Sequence, residues 1–530
     1  MKKAMIGMAL IMSAFVFSCG IGLKGRADTG EHEFYKAKTK EYQYYVRDGV
    51  VEIEKYIGKK KKVTVPEKIE GKCVVSIRNC FYRTSVSSVT VPDSISAMNS
   101  RAFYNCKKLK KVKLSKKITT IPSGAFMGCT SLTKVSMSSS VSEIGDKAFW
   151  NCGALTSVGD LTLKKVGWCA FENCKKLKGT ITLDSSLEKI SYGSFCNCKK
   201  LSFRFPDKDL TVYDLAFAGC RTISKRYISP NISAGAYAAC TNIDTVVVKD
   251  DNVIEENGVY YTKDRKTLVY VRPDYQGKLD FLKQVDTIGA YAFSGFRQKK
   301  VKIPDTIREI REGAFYGALC KSVTWNKNVK DMANYMFQES ALEKVVIPKG
   351  VKTIGFRALW KMPKCVSVSL PASVRSWADY EAEFTGVLEG FPALKKVTVA
   401  SGNPHLKSKK GLLFSKKNRL LCYPAGRKAK TYKIPKNITV DSHAFSNVKN
   451  LKVTFRFGSS IMGCFINCKN VRIVLPRSGI TIGNMQGDDL PPFENSTNCY
   501  ALVKKNSYVH KKFKKMVKRG YTSEFAYKVV

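Results

Sequence analysis

The sequence predicts a strand-rich repeat solenoid, an α/β horseshoe in which each unit adds one short parallel strand and one helical turn to a continuous stack. Three observations predict it. An aromatic anchor returns every 22–24 residues over much of the chain, a cysteine follows that anchor by three residues in many copies, and each unit closes on a period-2 apolar run. At 530 residues the chain exceeds what one compact core organises, and stacking removes that limit, because each unit buries its apolar face only against its neighbours.

The unit is legible in Ile118-TTIPSGAFMGCTSLTKVSM, Val141-SEIGDKAFWNCGALTSV and Leu187-EKISYGSFCNCKKLSFRF, which share [IVL]-x-x-I-x-x-x-A-F-x-x-C-x-x-L-x-x-V-x-[ILV]. Its aromatics fall at Phe81, Phe103, Phe126, Phe149, Phe171, Phe195, Phe217 and Tyr237, in steps of 22, 23, 23, 22, 24, 22 and 20. They resume at Phe293, Phe315 and Phe337, pass through Leu359, and return at Phe445, Phe465 and Phe493. That period lies in the leucine-rich-repeat range. Leu109-Lys110-Lys111-Val112-Lys113-Leu114 ends in strict alternation and so supplies a strand, and these strands are expected to form one long parallel sheet. Ala125-Phe126 and its equivalents suit a tight helical turn that tucks the ring between rungs.

The beat breaks twice in the same way, over 56 residues from Tyr237 to Phe293 and 54 from Phe391 to Phe445. Each gap holds a matching passage, Asn257-GVYYTKDRKTLVYVRP and Gly411-LLFSKKNRLLCYP, read as a β-hairpin within a variant repeat. The ends differ from the middle, as solenoid ends must. Lys2, Lys3 and the apolar run Ala4 to Phe17 read as an export signal, too short to span a bilayer, and Cys19 offers a lipoprotein-type alternative to cleavage near Ala27. The expected organisation is a signal peptide at 1–27 (ending at 18 if lipid-anchored) and a linker with a strand-rich cap at 28–78. Leucine-rich repeats follow at 79–250, 286–400 and 436–500, hairpin-bearing variants at 251–285 and 401–435, and a basic cap helix and tail at 501–530. Ser507 is the expected N-cap of that helix and Gly520 its stop.

The pattern Ile-x-x-x-x-Ala-Phe-x-x-Cys-x-x-Leu-x-x-Val-x-Leu-Pro, the Gly-Val-Tyr-Tyr hairpin and the Lys505–Val509 segment closely resemble the BspA-like family of bacterial leucine-rich-repeat surface proteins, over roughly residues 45 to 505. The resemblance implies export, a cell-surface or secreted location and adhesion to host proteins or other cells, and it brings no catalytic residues with it. Rungs such as Val329-KDMANYMFQES lack the cysteine, and Leu359 replaces an aromatic.

Eighteen cysteines in an exported chain ordinarily suggest disulfides. Here Cys106, Cys129, Cys152, Cys174, Cys198, Cys220, Cys240 and Cys468 each follow an anchor by three, which places them in one interior slot as packed thiols. Cys196 with Cys198, and Cys464 with Cys468, mimic metal pairs only because one member of each is the repeat cysteine. The four histidines, His32, His405, His443 and His510, have no zinc-ligand spacing, and His443 is expected at an exposed variable position. The stretch Gly20 to Gly25 matches a dinucleotide motif without the preceding strand it requires. Neither a cofactor, a metal nor an enzymatic constellation is expected.

The charge is the remaining signal. With 91 Lys+Arg against 43 Asp+Glu the formal balance is +48, which favours polyanionic partners. Lysines crowd the x positions around the predicted strands: Lys107, Lys108, Lys110, Lys111 and Lys113, then Lys175, Lys176 and Lys178, then Lys199 and Lys200, Lys299, Lys300 and Lys302, and Lys395 and Lys396. Stacking is expected to turn these clusters into a stripe that binds acidic glycans or wall polymers, with nucleic acid as a non-specific possibility. Four functions are weighed: a surface binding or adhesion module for extracellular proteins or acidic polymers, a structural protein held electrostatically to an anionic wall, an enzyme, and a secreted nucleic-acid binder. The charge itself is also weighed as a solvated surface with no ligand.

Overall fold

Among rungs of this pattern, that of Phe126 shows how the side chains dictate the shape. Ile118, Ile121, Ala125, Phe126, Cys129, Leu132 and Val135 are all buried, while most of the residues between them are exposed or half-buried. The apolar positions converge on one interior line, and the chain coils once around it. The computed structural model describes residues 34–377, 388–456, 458, 460–461, 463–480, 492–518 and 526–530, and within them about twenty such turns stack into a strand-rich β-solenoid. The expected export signal, Cys19 and Gly520 lie outside the described residues.

Within each stretch of regular rungs the anchoring rings form a column. Phe81, Phe103, Phe126, Phe149 and Phe171 follow one another at centroid distances of 5.0–5.1 Å with planes within 4–7° of parallel. Each such offset pair contributes about 0.5–1.5 kcal/mol beyond the burial of its area. The backbone reinforces the stack, with Phe103 N–H donating to Ala125 O and Phe126 N–H to Ala148 O, both at 2.8 Å.

Two features differ from the sequence-based expectation. The Ala-Phe segment is a turn, and no helical turn forms in the rung. In the Phe149 rung, Lys147 (φ 53°) and Asn151 (φ 59°) both take left-handed backbone, and they bracket the segment too closely for a helical run. Its amides bond three residues back, as Cys152 N to Phe149 O, or across to the next rung. The parallel strands also run in two lines instead of one long sheet. One holds three-residue strands such as Lys111–Lys113 and Lys134–Ser136, and the other two-residue strands such as Thr120–Ile121 and Glu143–Ile144. Strands this short pair only with their neighbours, so each line is a succession of small sheets.

The variant repeats are antiparallel meanders. Val253–Glu256, Val259–Thr262 and Thr267–Val271 fold on themselves, and the last strand then joins Thr287–Ile288 in parallel. Leu406–Lys409, Leu412–Ser415 and Arg419–Cys422 repeat the arrangement and hand over to Thr439–Val440. Side chains from the rungs before and after each module meet, as Cys196 and Tyr316 do in one small core and Glu389 and His443 do at 3.6 Å, so the stack bends at both. At the first bend the Tyr291 ring is wedged between Gly235 and Gly313, where an added Cβ would lie 2.6 and 2.4 Å from ring carbons. Cys196, Leu215, Ala218, Ala238, Tyr291 and Tyr316 form a separate small core there. The main core divides at the same places, into clusters beginning at Tyr42, Val259 and Leu412.

Both ends are closed. Tyr42–Arg47 and Val50–Tyr56 form an antiparallel cap, and the Tyr56 ring begins the aromatic column 5.5 Å from Phe81. The helix Tyr508–Lys518 is capped by Ser507, whose Oγ accepts from His510 N–H at 3.1 Å, and Val509, Phe513 and Met516 seal the last core.

Candidate polyanion-binding face

The strand that follows each turn exposes residues on either side of a buried valine. In Lys111–Val112–Lys113 the valine is buried and both lysines are exposed, and the same holds in Lys300–Val301–Lys302. Parallel register then decides which side chains stand beside one another. Lys111 is opposite Lys134 and Lys113 opposite Ser136. Lys178 is opposite Lys200. Lys300 is opposite Ser322, and Lys396 opposite Ser367.

Of the sequence-singled lysines, Lys110, Lys299 and Lys395 immediately precede the strands. Lys107 and Lys108, Lys175 and Lys176, and Lys199 occupy the exits of the turns, and Lys107 and Lys199 are half-buried while the others are exposed. The ammonium of Lys199 is held below its ordinary value by burial first, and then by Arg221 and Lys175 in the rungs on either side. That is the repulsion expected of cations stacked in a column.

These residues fall into separate patches, split within each arm by rungs with fewer lysines, such as those of Ser157 and Ser322, and between the arms by the first meander. The structure also adds members that clustering alone did not single out: Lys62, Lys134, Lys344, Lys452 and Arg472 each directly precede a buried strand Val or Ile. The Lys-Val dipeptide at the template position was the available signal. A second basic surface lies at the start of the turns. There Gly124 sits between Arg101 and Lys147 of the adjacent rungs and opens a groove of about 530 Å3.

Other sequence-flagged residues fall elsewhere. His443 is half-buried, not exposed, because the second bend brings it within 3.6 Å of Glu389. The repeat cysteines from Cys106 to Cys240 share one buried core and Cys468 takes the same slot in the last one, whereas Cys196 sits in the small core of the first bend. Among the described residues no group of three or more His, Cys, Asp or Glu is placed to hold a metal ion, and no helix is long and apolar enough to cross a membrane.

The model of the BspA-type leucine-rich repeat region matches residues 61–178, 157–264, 275–383 and 422–498. No curated protein matches the chain. Among solved structures, a leucine-rich cell surface protein from Faecalibacterium prausnitzii is 21% identical, covering 69% of this chain and 95% of its own, with a TM-score of 0.40. The leucine-rich repeat protein of T. pallidum is 26% identical over 36% of this chain and 91% of its own, with a TM-score of 0.32. A leucine-rich repeat protein from Bacteroides ovatus is 13% identical, covering 95% of this chain and 100% of its own, with a TM-score of 0.25.

Proposed function

Because the chain belongs to the family of BspA-type leucine-rich repeat proteins, we propose that it is an exported, non-enzymatic surface module that binds acidic polymers or acidic protein surfaces through its strand lysines. The observation that carries this reading is the register that sets Lys111 beside Lys134 and Lys178 beside Lys200. Stacked cations about 4.8 Å apart repel one another, and a bound linear polyanion relieves that repulsion while releasing counterions. In the proposal the protein resides at the cell surface or is secreted, with Cys19 as the point of any lipid anchor.

The test is a charge swap of Lys110, Lys111 and Lys113 to Glu against a control swap of Lys263, Arg265 and Lys266 in the first variant repeat. The strand swap is expected to weaken binding of an acidic polymer and flatten its salt dependence, and the control to change little. Equal losses, or binding indifferent to salt, would overturn the reading. A second reading, a structural protein held to an anionic wall, is favoured by the +48 balance extending well beyond the columns. Release of the protein from cells by salt alone supports that second reading, and release only by detergent supports the anchor.

A further inference from the structure

In the second arm of the solenoid one outward line of side chains alternates in kind. The strands Lys300–Lys302, Ser322–Thr324, Lys344–Val346, Ser367–Leu370 and Lys396–Val399 belong to five successive rungs, and their first residues are Lys, Ser, Lys, Ser and Lys. Register confirms the order: Lys300 faces Ser322, Lys344 faces Ser367, and Ser367 faces Lys396. Between the second and third strands the bond from Glu343 N–H to Lys321 O continues the stack. The three lysines are exposed and the two serines half-buried.

The surroundings leave these charges available. Among the described residues none forms an ion pair with Lys300, Lys344 or Lys396. The nearby Glu343 carboxylate is taken by Lys321 at 2.9 Å. The parallel outward line two residues on holds Lys302, Thr324, Val346, Ser369 and Thr398, which is one cation, three hydroxyls and no acid. Along this line ammonium groups therefore alternate with hydroxyls; Lys299 and Lys395 add to the charge of the Lys300 and Lys396 rungs, while Lys321 beside Ser322 is offset by Glu343.

Spacing selects the ligand. At about 4.8 Å per rung, the ammonium groups recur every ~9.6 Å with a hydroxyl midway. Duplex DNA carries a charge every ~3.4 Å of axis on each strand, so most of its phosphates would find no partner, and a single strand would find no aromatic surface here for its bases. A β-linked polysaccharide in extended form advances by roughly one rung per sugar ring. A chain with one acidic group on every second ring would set a carboxylate or sulfate beside each lysine and a neutral ring beside each serine.

We infer that this column binds a linear acidic polysaccharide bearing one carboxylate or sulfate per disaccharide repeat. The inference rests on the polyanion-binding reading above and adds a periodicity to it. It is confined to the second arm, because Lys62, Ser88, Lys111, Lys134 and Ser157 in the first arm do not alternate.

The experiment uses the full chain and three probes of matched length: hyaluronan, with one carboxylate per disaccharide, polygalacturonate, with one per ring, and single-stranded oligothymidylate. Affinities are measured for the native chain, for Lys344→Ser, and for Ser322→Lys with Ser367→Lys, which fills the gaps in the row. Lys344 is exposed and the two serines are half-buried, and melting curves check that each variant is folded. The native chain is expected to prefer hyaluronan. Lys344→Ser should weaken that binding by up to about fivefold, the upper range of one exposed ion pair. The filled row should reverse the preference towards polygalacturonate. Affinity that simply rises with polymer charge, in native and filled chains alike, overturns the periodicity while leaving the polyanion face intact. A preference of the native chain for oligothymidylate overturns it in favour of nucleic acid. Salt-insensitive binding of all three probes, or none at all, removes both proposals.

Discussion

Cys129 donates its thiol hydrogen to the carbonyl oxygen of Phe103 in the preceding rung, at 2.9 Å. The same bond recurs from Cys106, Cys152, Cys174, Cys198, Cys220, Cys240 and Cys468 to the phenylalanine one rung earlier. Phe103 O already accepts Cys106 N–H within its own rung, so the thiol occupies its second lone pair. The slot thus asks for a small apolar side chain that can also donate, and cysteine meets both requirements.

Replacing Cys129 with Val is expected to cost about 0.5–1.5 kcal/mol, because the weak thiol bond is lost while Phe103 O keeps the Cys106 N–H. Ser340 fills the slot in one rung, with its hydroxyl fully buried and unbonded. A thiol there, with its longer bond to carbon, should reach the preceding carbonyl, and Ser340→Cys is expected to stabilise. Denaturant melts of both variants decide the matter; a neutral Cys129→Val would show that the thiols only fill space.

Burial pushes the thiols of Cys152, Cys240 and Cys320 up to about 12. In the unfolded chain they ionise near the ordinary value of about 8.5. The folded state then holds protons that the unfolded state has released, so stability is unaffected below about pH 8.5 and declines as pH rises towards 12. Each thiol steepens the decline by about 1.4 kcal/mol per pH unit. Thermal melts across pH 6 to 11 should show a plateau and then a fall. Native thiol titration should find Cys73, half-buried where the other described cysteines are buried, reacting first.

Phe149 lies between Phe126 and Phe171 at 5.1 Å from each. Phe149→Ala should cost about 3–5 kcal/mol through the cavity it leaves. Phe149→Asp should abolish folding of the adjoining rungs, because a carboxylate would be buried without a partner. Hydrogen exchange read rung by rung is the measurement. Loss of protection confined to one rung in Phe149→Asp would contradict a core shared between neighbours.

Arg226 occupies the position where the template places Val, and it is only 4% exposed. Its guanidinium lies 4.1 Å from the Tyr270 ring centre and donates to Ala234 O at 2.8 Å, while Nε and Nη1 are buried without partners. Truncation to Ala should destabilise by opening a cavity beneath Tyr270. Arg226→Met, which keeps the volume and removes the buried charge, should be neutral or stabilising. A large loss in Arg226→Met, measured by denaturant unfolding, would show that the charge itself holds the first variant repeat in place.

Much of this was legible in the chain. The Phe and Cys columns follow from spacing alone, since residues at a fixed offset in a stacked repeat share one interior line. The hairpin modules and the Ser507-capped helix were equally local, each carried by contiguous residues such as Thr262 to Thr267. The turn at Ala-Phe was read as helical although Asn or Gly recurs two residues after the ring, as Asn105, Gly128, Asn151 and Gly219, and these residues take left-handed backbone readily.

By itself the sequence determined which side chains point inward, because that depends only on the period within one unit. Tertiary structure decided which of the outward residues meet, since rungs differ in length and the two meander modules bend the stack. Lys344 stands beside Ser367, Lys111 beside Lys134, and Arg226 beneath Tyr270 from a strand more than forty positions later in the chain. Register between units is set by main-chain pairing across rungs, and no interval along the chain encodes it directly.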